Sequence, residues 1–303
     1  MTIIQLEYFL AVANHGSFST AAEYCFVTQP SLSMQIQNLE DELGVILLDR
    51  ASKPIVPTEA GQMVLEQAKE AVASFYHTKE KVTCLKGELS GKIRLGLIPS
   101  ISAYLMPKLI PEFLKKYPDV ELEVSDMMVL ELIDALNRDF LDVAIFSGGA
   151  PIKIKETKLY DEKLYLYVSS KHELFKRKEI ALDDIDVKEL LMLSEGNSPN
   201  NQLFKKMFLS RKKARVSFNF ANCSLETLMH IVDSTPYMTI IPGMSIDYIA
   251  EERRKQIKRI AKVNAHRKIM MAVGHTYVKE SLVQALKETI AAVAHKSVAE
   301  FLI

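Results

Sequence analysis

Three uncharged polar side chains, Gln29, Ser33 and Gln37, stand four residues apart within TQPSLSMQIQNLEDEL, Thr28–Leu43. Each can donate and accept hydrogen bonds, so together they suit a partner with mixed donors and acceptors better than a simple charge. Further on, in IPSIS, Ser100 and Ser102 fall where a strand pattern gives way to a helix pattern. Hydroxyls and free N–H groups at such a junction can hold a carboxylate or another small polar ligand. Simple helix capping by either serine is the competing reading. Other reactive groups are sparse. The three cysteines, Cys25, Cys84 and Cys223, are odd in number, widely separated and lack CxxC spacing, which argues against a disulfide framework or a zinc site. The seven histidines are isolated, and the chain has no GxGxxG, GxSxG, HExxH or P-loop. Neither an enzyme nor a metal or cofactor is expected.

The elements that must position these groups follow from periodicity. Leu32, Ile36, Leu39 and Leu43 recur at steps of four, three and four, the spacing of one helix face. Thr28 can cap that helix, Pro30 needs no helical N–H bond in its first turn, and Gly44 can end it. Upstream, Leu6, Phe9, Leu10 and Ala13 give another helical face closed by Gly16. Ser17 or Ser19 could then cap a short helix through Ala21 and Ala22. Two short helices around a tight turn, the second with a polar outer face, form a helix-turn-helix pattern. LLDR-ASKP-IVPT reads as two short strands around a turn, a wing, with Arg50 and Lys53 in or beside it. From Thr58 to about Leu89 a long helix carries a broken apolar stripe at Leu65, Ala68, Val72, Phe75, Val82 and Leu85. Pairing with a second copy would bury that stripe, and packing on the downstream domain is the alternative. Beyond LSGKIRLG, strands and helices alternate, which predicts an α/β fold with mainly parallel sheets.

Length and composition agree. At 303 residues, two or three domains are expected, and 48% hydrophobic with 25% charged residues is ordinary for a globular protein. The N-terminus lacks a basic n-region and carries Glu7, so no signal peptide is expected. No apolar run approaches spanning length, so no membrane association is expected either. With the cysteine usage, a cytoplasmic location is expected. Net charge is zero, yet residues 1–60 hold only two basic side chains, Arg50 and Lys53, against seven acidic ones.

The blocks QLEYF (5–9), GSFSTAAE (16–23), TQPSLSMQIQNLEDELGV (28–45), LLDR (47–50) and PTEAG (57–61) resemble the LysR-type transcriptional regulators. GLIPSISAYLMPKLIPEFLKKYPDVELEV and LDVAIFSG resemble that family's effector domain. ELLMLSEGNS and CSLETLMHIV resemble its peroxide-responsive OxyR branch. The resemblance implies a winged helix-turn-helix at 1–60, a dimerisation linker helix at 61–90, and a two-lobed effector domain at 91–303, similar to periplasmic binding proteins. Lobe I would be about 91–163 and 267–303, and lobe II about 164–266, with crossings near Tyr160 and Arg267. It also implies double-stranded DNA, a small-molecule effector and further copies of the chain, as homodimer or homotetramer, as partners. RNA polymerase is a further partner of such regulators.

On that resemblance, Gln29 can pair bidentately with adenine in the major groove, and Ser33 can reach a base edge or a phosphate. Thr28, Pro30 and Ser31 lie at the helix start, where N–H groups meet phosphate, and Gln37 extends the polar face. Arg50 and Lys53 are placed for backbone or minor-groove contact. Met34 stands where many relatives have a basic residue, which suggests a different base preference and one fewer phosphate contact. The acidic balance favours the alternative of a protein-interaction module. With so few cations one module should bind DNA weakly and need others joined to it.

The expected effector set is Ser100, Ser102, Ser147, Asn197, Ser198 and Cys223. The peroxide-responsive branch has its reactive cysteine where this chain has Ser198, a histidine where it has Asn197, and its resolving cysteine where it has Met207. A hydroxyl cannot follow thiol oxidation chemistry, so that mechanism does not carry over. Cys223 is left as either an inert buried thiol or a lone oxidant sensor. A ligand-binding protein with no DNA role would leave the first 60 residues unexplained.

Overall fold

A computed structural model describes residues 1–85, 89–150, 154–193, 224–261, 265–274 and 279–299. The chain divides into two compact units, one of Met1–Leu89 with Ala135–Asp142 and Gly274–Ser281, the other of the remaining residues.

In the first unit, α1 (Ile3–His15) opens with a capping box: Thr2 accepts from the Gln5 N–H while the Gln5 side chain accepts from the Thr2 N–H. Gly16, at φ +66°, closes it in the left-handed conformation that favours glycine. Ser17, rather than Ser19, caps α2 (Phe18–Tyr24). Thr28 caps α3 (Gln29–Leu43), which Gly44 ends at φ +70°. Leu32, Ile36 and Leu39 are fully buried with Leu6, Phe9, Val12 and Leu48. Leu43 departs from the expected face and is 38% exposed, because Glu40 rather than Leu43 turns inward at the helix end.

The wing consists of antiparallel strands β1 (Leu48–Asp49) and β2 (Val56–Pro57). The long helix α4 (Glu59–Leu85) follows. Part of its stripe is used within this unit: Ala68 and Val72 are buried and Leu65 half-buried in the helix-turn-helix core, while Phe75 and Val82 stay exposed. Also in this unit, the Arg138 guanidinium donates to the Asn14 carbonyl and lies over the Phe140 ring. The His15 ring sits 4.8 Å from both Tyr24 and Phe140.

The second unit is built on one sheet in the order β4-β3-β5-β11-β6-β10-β7, with β9 beside β6 and β8 beside β9. Its strands are β3 (Gly91–Leu97), β4 (Val120–Asp126), β5 (Val143–Ser147), β6 (Glu156–Val168), β7 (Glu179–Ala181), β8 (Leu190–Leu191), β9 (Met238–Pro242), β10 (Ile257–Ala261) and β11 (His266–Val273). Its α-helices among the described residues are α5 (Pro99–Lys116), α6 (Val129–Asn137), α7 (Leu225–Ser234), α8 (Glu251–Arg254) and α9 (Glu280–Ala299), with short 3-10 turns between strands. The expectation of mainly parallel sheets is corrected. Strand β11 runs antiparallel to both β5 and β6, and β6 runs antiparallel to β9 and β10. The chain leaves the first lobe along β6 and re-enters it along the adjacent β11, so those two strands must run in opposite senses. Strand β6 itself spans both lobes. Up to Lys163 it pairs with β11, and from Leu164 it pairs with β9. The second lobe closes on Leu164, Leu166, Val168, Ile180, Met238 and Ile260. No helix among the described residues is long and apolar enough to cross a membrane.

Candidate nucleic-acid interface and effector site

On α3 the buried stripe fixes which side faces out. Thr28, Gln29, Pro30, Met34 and Gln37 are exposed, and Ser31 and Ser33 are half-buried. Thr28 Oγ1 accepts from the Ser31 N–H at 3.4 Å, so its hydroxyl is committed to the cap while Gln29 projects beside it. Phe26, in the turn before α3, was not among the expected site residues. It is 96% exposed at φ +55°, where non-glycine residues are strained. An apolar residue in the turn between two helices was its sequence signal.

The wing cations do not behave alike. Lys53 is exposed. Arg50 is engaged inward: its guanidinium donates to Glu40 Oε2 at 2.7 Å and to Gln37 Oε1 at 3.2 Å, and lies over the Phe18 ring. Glu40, 5% exposed, also accepts from the Leu47 and Leu48 N–H groups at 2.8 and 3.3 Å. Glu40 therefore ties the end of α3 to the wing, and Arg50 balances its charge. Gln37 also donates to Asp41 at 2.9 Å, so its amide is braced at both ends. The acidity of this segment is in part internal structure.

The second site lies where the two lobes of the second unit join. Ser100, in the first turn of α5, is 6% exposed. It does not cap the helix, which is preceded by Ile98 without a side-chain cap. Instead Arg267 donates from Nη1 to Ser100 Oγ at 2.8 Å and from Nη2 to the Ser100 carbonyl at 3.0 Å. Its Nε donates to Glu162 Oε2 at 2.8 Å, and Glu162 Oε1 accepts from the Met244 N–H at 3.1 Å. Arg267 and Glu162 face each other across β11 and β6, so strand register builds this buried ion pair.

Contacts between the lobes surround it. Tyr104, on α5, donates to Glu226 in the first turn of α7 at 2.6 Å. Burial, then the Glu226 carboxylate, pushes the Tyr104 phenol well above its ordinary pKa, so it stays a donor. Lys108 pairs with Asp247, and the Tyr104 and Tyr248 rings lie 5.8 Å apart. Ser147 is buried at the end of β5, opposite Ile269 of β11, and Ser102 is half-buried two residues on from Ser100 in α5. Asn197, Ser198 and Cys223, with Met207, lie outside the described residues. Arg267, Glu162 and Glu226 were missed as site residues. Their signal was charge within otherwise apolar strands or beside a helix start, and it means little until register pairs them. Cys25 is half-buried, and burial, then Glu7, pushes its thiol up, away from the reactive thiolate.

Two family descriptions match the chain: a bacterial regulatory helix-turn-helix protein of the lysR family over residues 3–62, and a LysR substrate binding domain over residues 86–294. The hydrogen peroxide-inducible genes activator of Haemophilus influenzae is 32% identical, covering 86% of this chain and 85% of that protein. That of Pectobacterium carotovorum is 34% identical, covering 81% of each. A full-length OxyR variant from Pseudomonas aeruginosa has a similar structure, with a TM-score of 0.76 and 25% identity over 96% of this chain and 98% of that one. With an N-terminal helix-turn-helix whose recognition helix shows a polar outer face and a two-lobed α/β domain that follows it in sequence, the chain belongs to the LysR family of DNA-binding transcriptional regulators and is not an enzyme.

Proposed function

We propose that this regulator is switched by a small polar molecule held at the lobe junction, and not by a thiol–disulfide step. The carrying observation is that residues 91–303 contain one cysteine, Cys223, so the effector domain has no second thiol with which to close an internal disulfide. Ser100, Ser102, Ser147, Asn197 and Ser198 supply hydroxyls and an amide instead. Arg267, already donating to Ser100, offers charge-assisted hydrogen bonds to a ligand oxygen that competes for that position. A ligand that prefers one arrangement of the lobes shifts their equilibrium, and α4 carries the change toward the DNA-binding helices.

At the DNA, Gln29 reads a base, Thr28, Ser31 and Ser33 set the helix against phosphate, and Lys53 is the free wing cation. Arg50 acts mainly by holding the wing to α3. Two copies pair through the exposed part of α4, where Phe75 and Val82 are uncovered, and joined modules make up for the small number of cations. The protein works in the cytoplasm, where its DNA is, and RNA polymerase is the machinery it influences.

Footprinting on operator DNA with and without hydrogen peroxide, on the wild type and Cys223→Ser, tests the switch. Unchanged footprints in both proteins are expected. A peroxide-induced shift that Cys223→Ser abolishes would overturn the proposal and make this a one-cysteine oxidant sensor.

A further inference from the structure

Two segments of the effector domain, Ala135–Asp142 at the end of α6 and Gly274–Ser281 after β11, belong to the compact unit of the DNA-binding end. The first is a stiff corner. Asp139, at φ +56°, ends α6 in a Schellman turn: its N–H donates to the Leu136 carbonyl at 3.2 Å, and the Phe140 N–H donates to the Ala135 carbonyl at 2.8 Å. The second segment is fastened to it. The Gly274 N–H donates to the Asp142 carbonyl at 3.1 Å, and Lys279 pairs at 2.7 Å with the Asp142 carboxylate, which is 5% exposed.

This corner grips the end of α1. Asn14 carries one of the last carbonyls of that helix, which no helical N–H can reach, and Arg138 donates to it from Nε at 3.0 Å and from Nη2. A cation there also meets the negative pole of the helix. The Arg138 guanidinium lies 4.8 Å from the centre of the Phe140 ring, and Phe140 packs on His15, which also meets Tyr24 of α2. His77 of α4 adds a contact to Glu280 at 3.4 Å. All these contacts fall on α1, α2 and α4, so Thr28, Gln29 and Met34 of the recognition helix stay exposed.

The same corner continues directly into the strands that carry the lobe-junction groups. Val143 and Val273, which follow Asp142 and precede Gly274, pair at one end of β5 and β11, and Ser147 pairs with Ile269 toward the other, two residues from Arg267. Five strand residues span about 15 Å. We infer that the corner is a latch by which the effector domain holds its own helix-turn-helix, with Arg138 and Phe140 as positioning residues, and that a change at Ser100 and Arg267 reaches α1 along β5 and β11. A docked and an undocked latch supply the two states that such coupling requires. The second half of the inference rests on the junction being the site of the switch.

Hydrogen exchange of the full-length protein, followed by mass spectrometry, tests it without any ligand. Arg138→Ala and Phe140→Ala should each speed exchange in peptides covering residues 8–24 on the order of tenfold, as for losing a hydrogen bond to a charged group, while β5 and β11 keep their protection. Should Phe140→Ala loosen β5 as well, Arg138→Ala alone is read. Ser100→Ala, at the far end of the strands, should speed exchange in the same peptides, and this effect should vanish when Arg138→Ala is also present. Unchanged exchange over residues 8–24 in Arg138→Ala would overturn the latch. No effect of Ser100→Ala, or an equal effect with and without Arg138→Ala, would overturn the coupling through it. Neither result bears on what the junction binds, which the peroxide footprints test separately.

Discussion

Gly61→Ala tests whether the linker helix is seated on the wing as the structure has it. Gly61 lies in the first turns of α4, where alanine would ordinarily gain about 1 kcal/mol in helix propensity. A Cβ there would stand 3.0 Å from the Leu47 carbonyl carbon and 3.1 Å from Pro57 Cβ, and closer still to the Leu47 oxygen. Reaching ordinary contact with that oxygen requires a separation of at least about 1.4 Å. That oxygen cannot easily retreat. It accepts from the Thr58 N–H at 2.9 Å, while the Thr58 hydroxyl donates to the Ile46 carbonyl at 2.7 Å and accepts from the Gly61 N–H at 3.0 Å. Overpacking of this kind costs roughly 1–3 kcal/mol, and rigid backbone puts it at the upper end, so about 1–2 kcal/mol remains after the propensity gain. For a unit of this size that lowers its melting temperature by roughly 5–15 °C. Differential scanning calorimetry of the full chain, following the transition lost on truncation of residues 1–89, reads it, and operator affinity falls in parallel. An unchanged or raised melting temperature would show that the helix–wing contact yields freely and refute the reasoning.

Other expectations follow from the same unit. Glu40→Ala leaves the Leu47 and Leu48 N–H groups and the Arg50 guanidinium without their shared acceptor, and costs about 1–3 kcal/mol in urea unfolding, most of it from the two buried N–H groups because the Arg50 side chain is 40% exposed. A loss under 1 kcal/mol would mean that water replaces the carboxylate. Gln29→Ala weakens operator binding by roughly 1–3 kcal/mol and relaxes preference at one base position, read by titration over operator variants. Equal loss on every sequence would make Gln29 a positioning group. His15 is held below its ordinary pKa by burial and then by Arg138, and its Nε2 has no hydrogen-bond partner among the described residues. The unfolded chain thus takes up a proton there before the folded one, and stability falls as pH drops below about 6.5, by at most about 1.4 kcal/mol per pH unit. His15→Phe, which keeps the ring between Tyr24 and Phe140, should flatten that decline, and an identical pH profile would assign it elsewhere.

Much of the DNA-binding end was legible in the sequence because its signals are local. Caps at Ser17 and Thr28, glycines at 16 and 44, and the Leu32, Ile36, Leu39 stripe each act within a few residues, so they fix the helices and leave Gln29 outward whatever the rest of the chain does. The absence of a second cysteine in the effector domain is likewise a property of composition alone. Only the tertiary structure decided what depends on groups distant in sequence. It set Arg50, expected at the DNA, against Glu40 as well. It made the sheet mixed, because β6 and β11 are neighbours although their register partners lie more than 100 residues apart in sequence. It turned Ser100 from a candidate cap into the acceptor of Arg267. A charge in a strand reads as a solvated residue until its register partner is known. Pairing across a sheet is set by the packing of whole faces, which no short stretch of sequence contains.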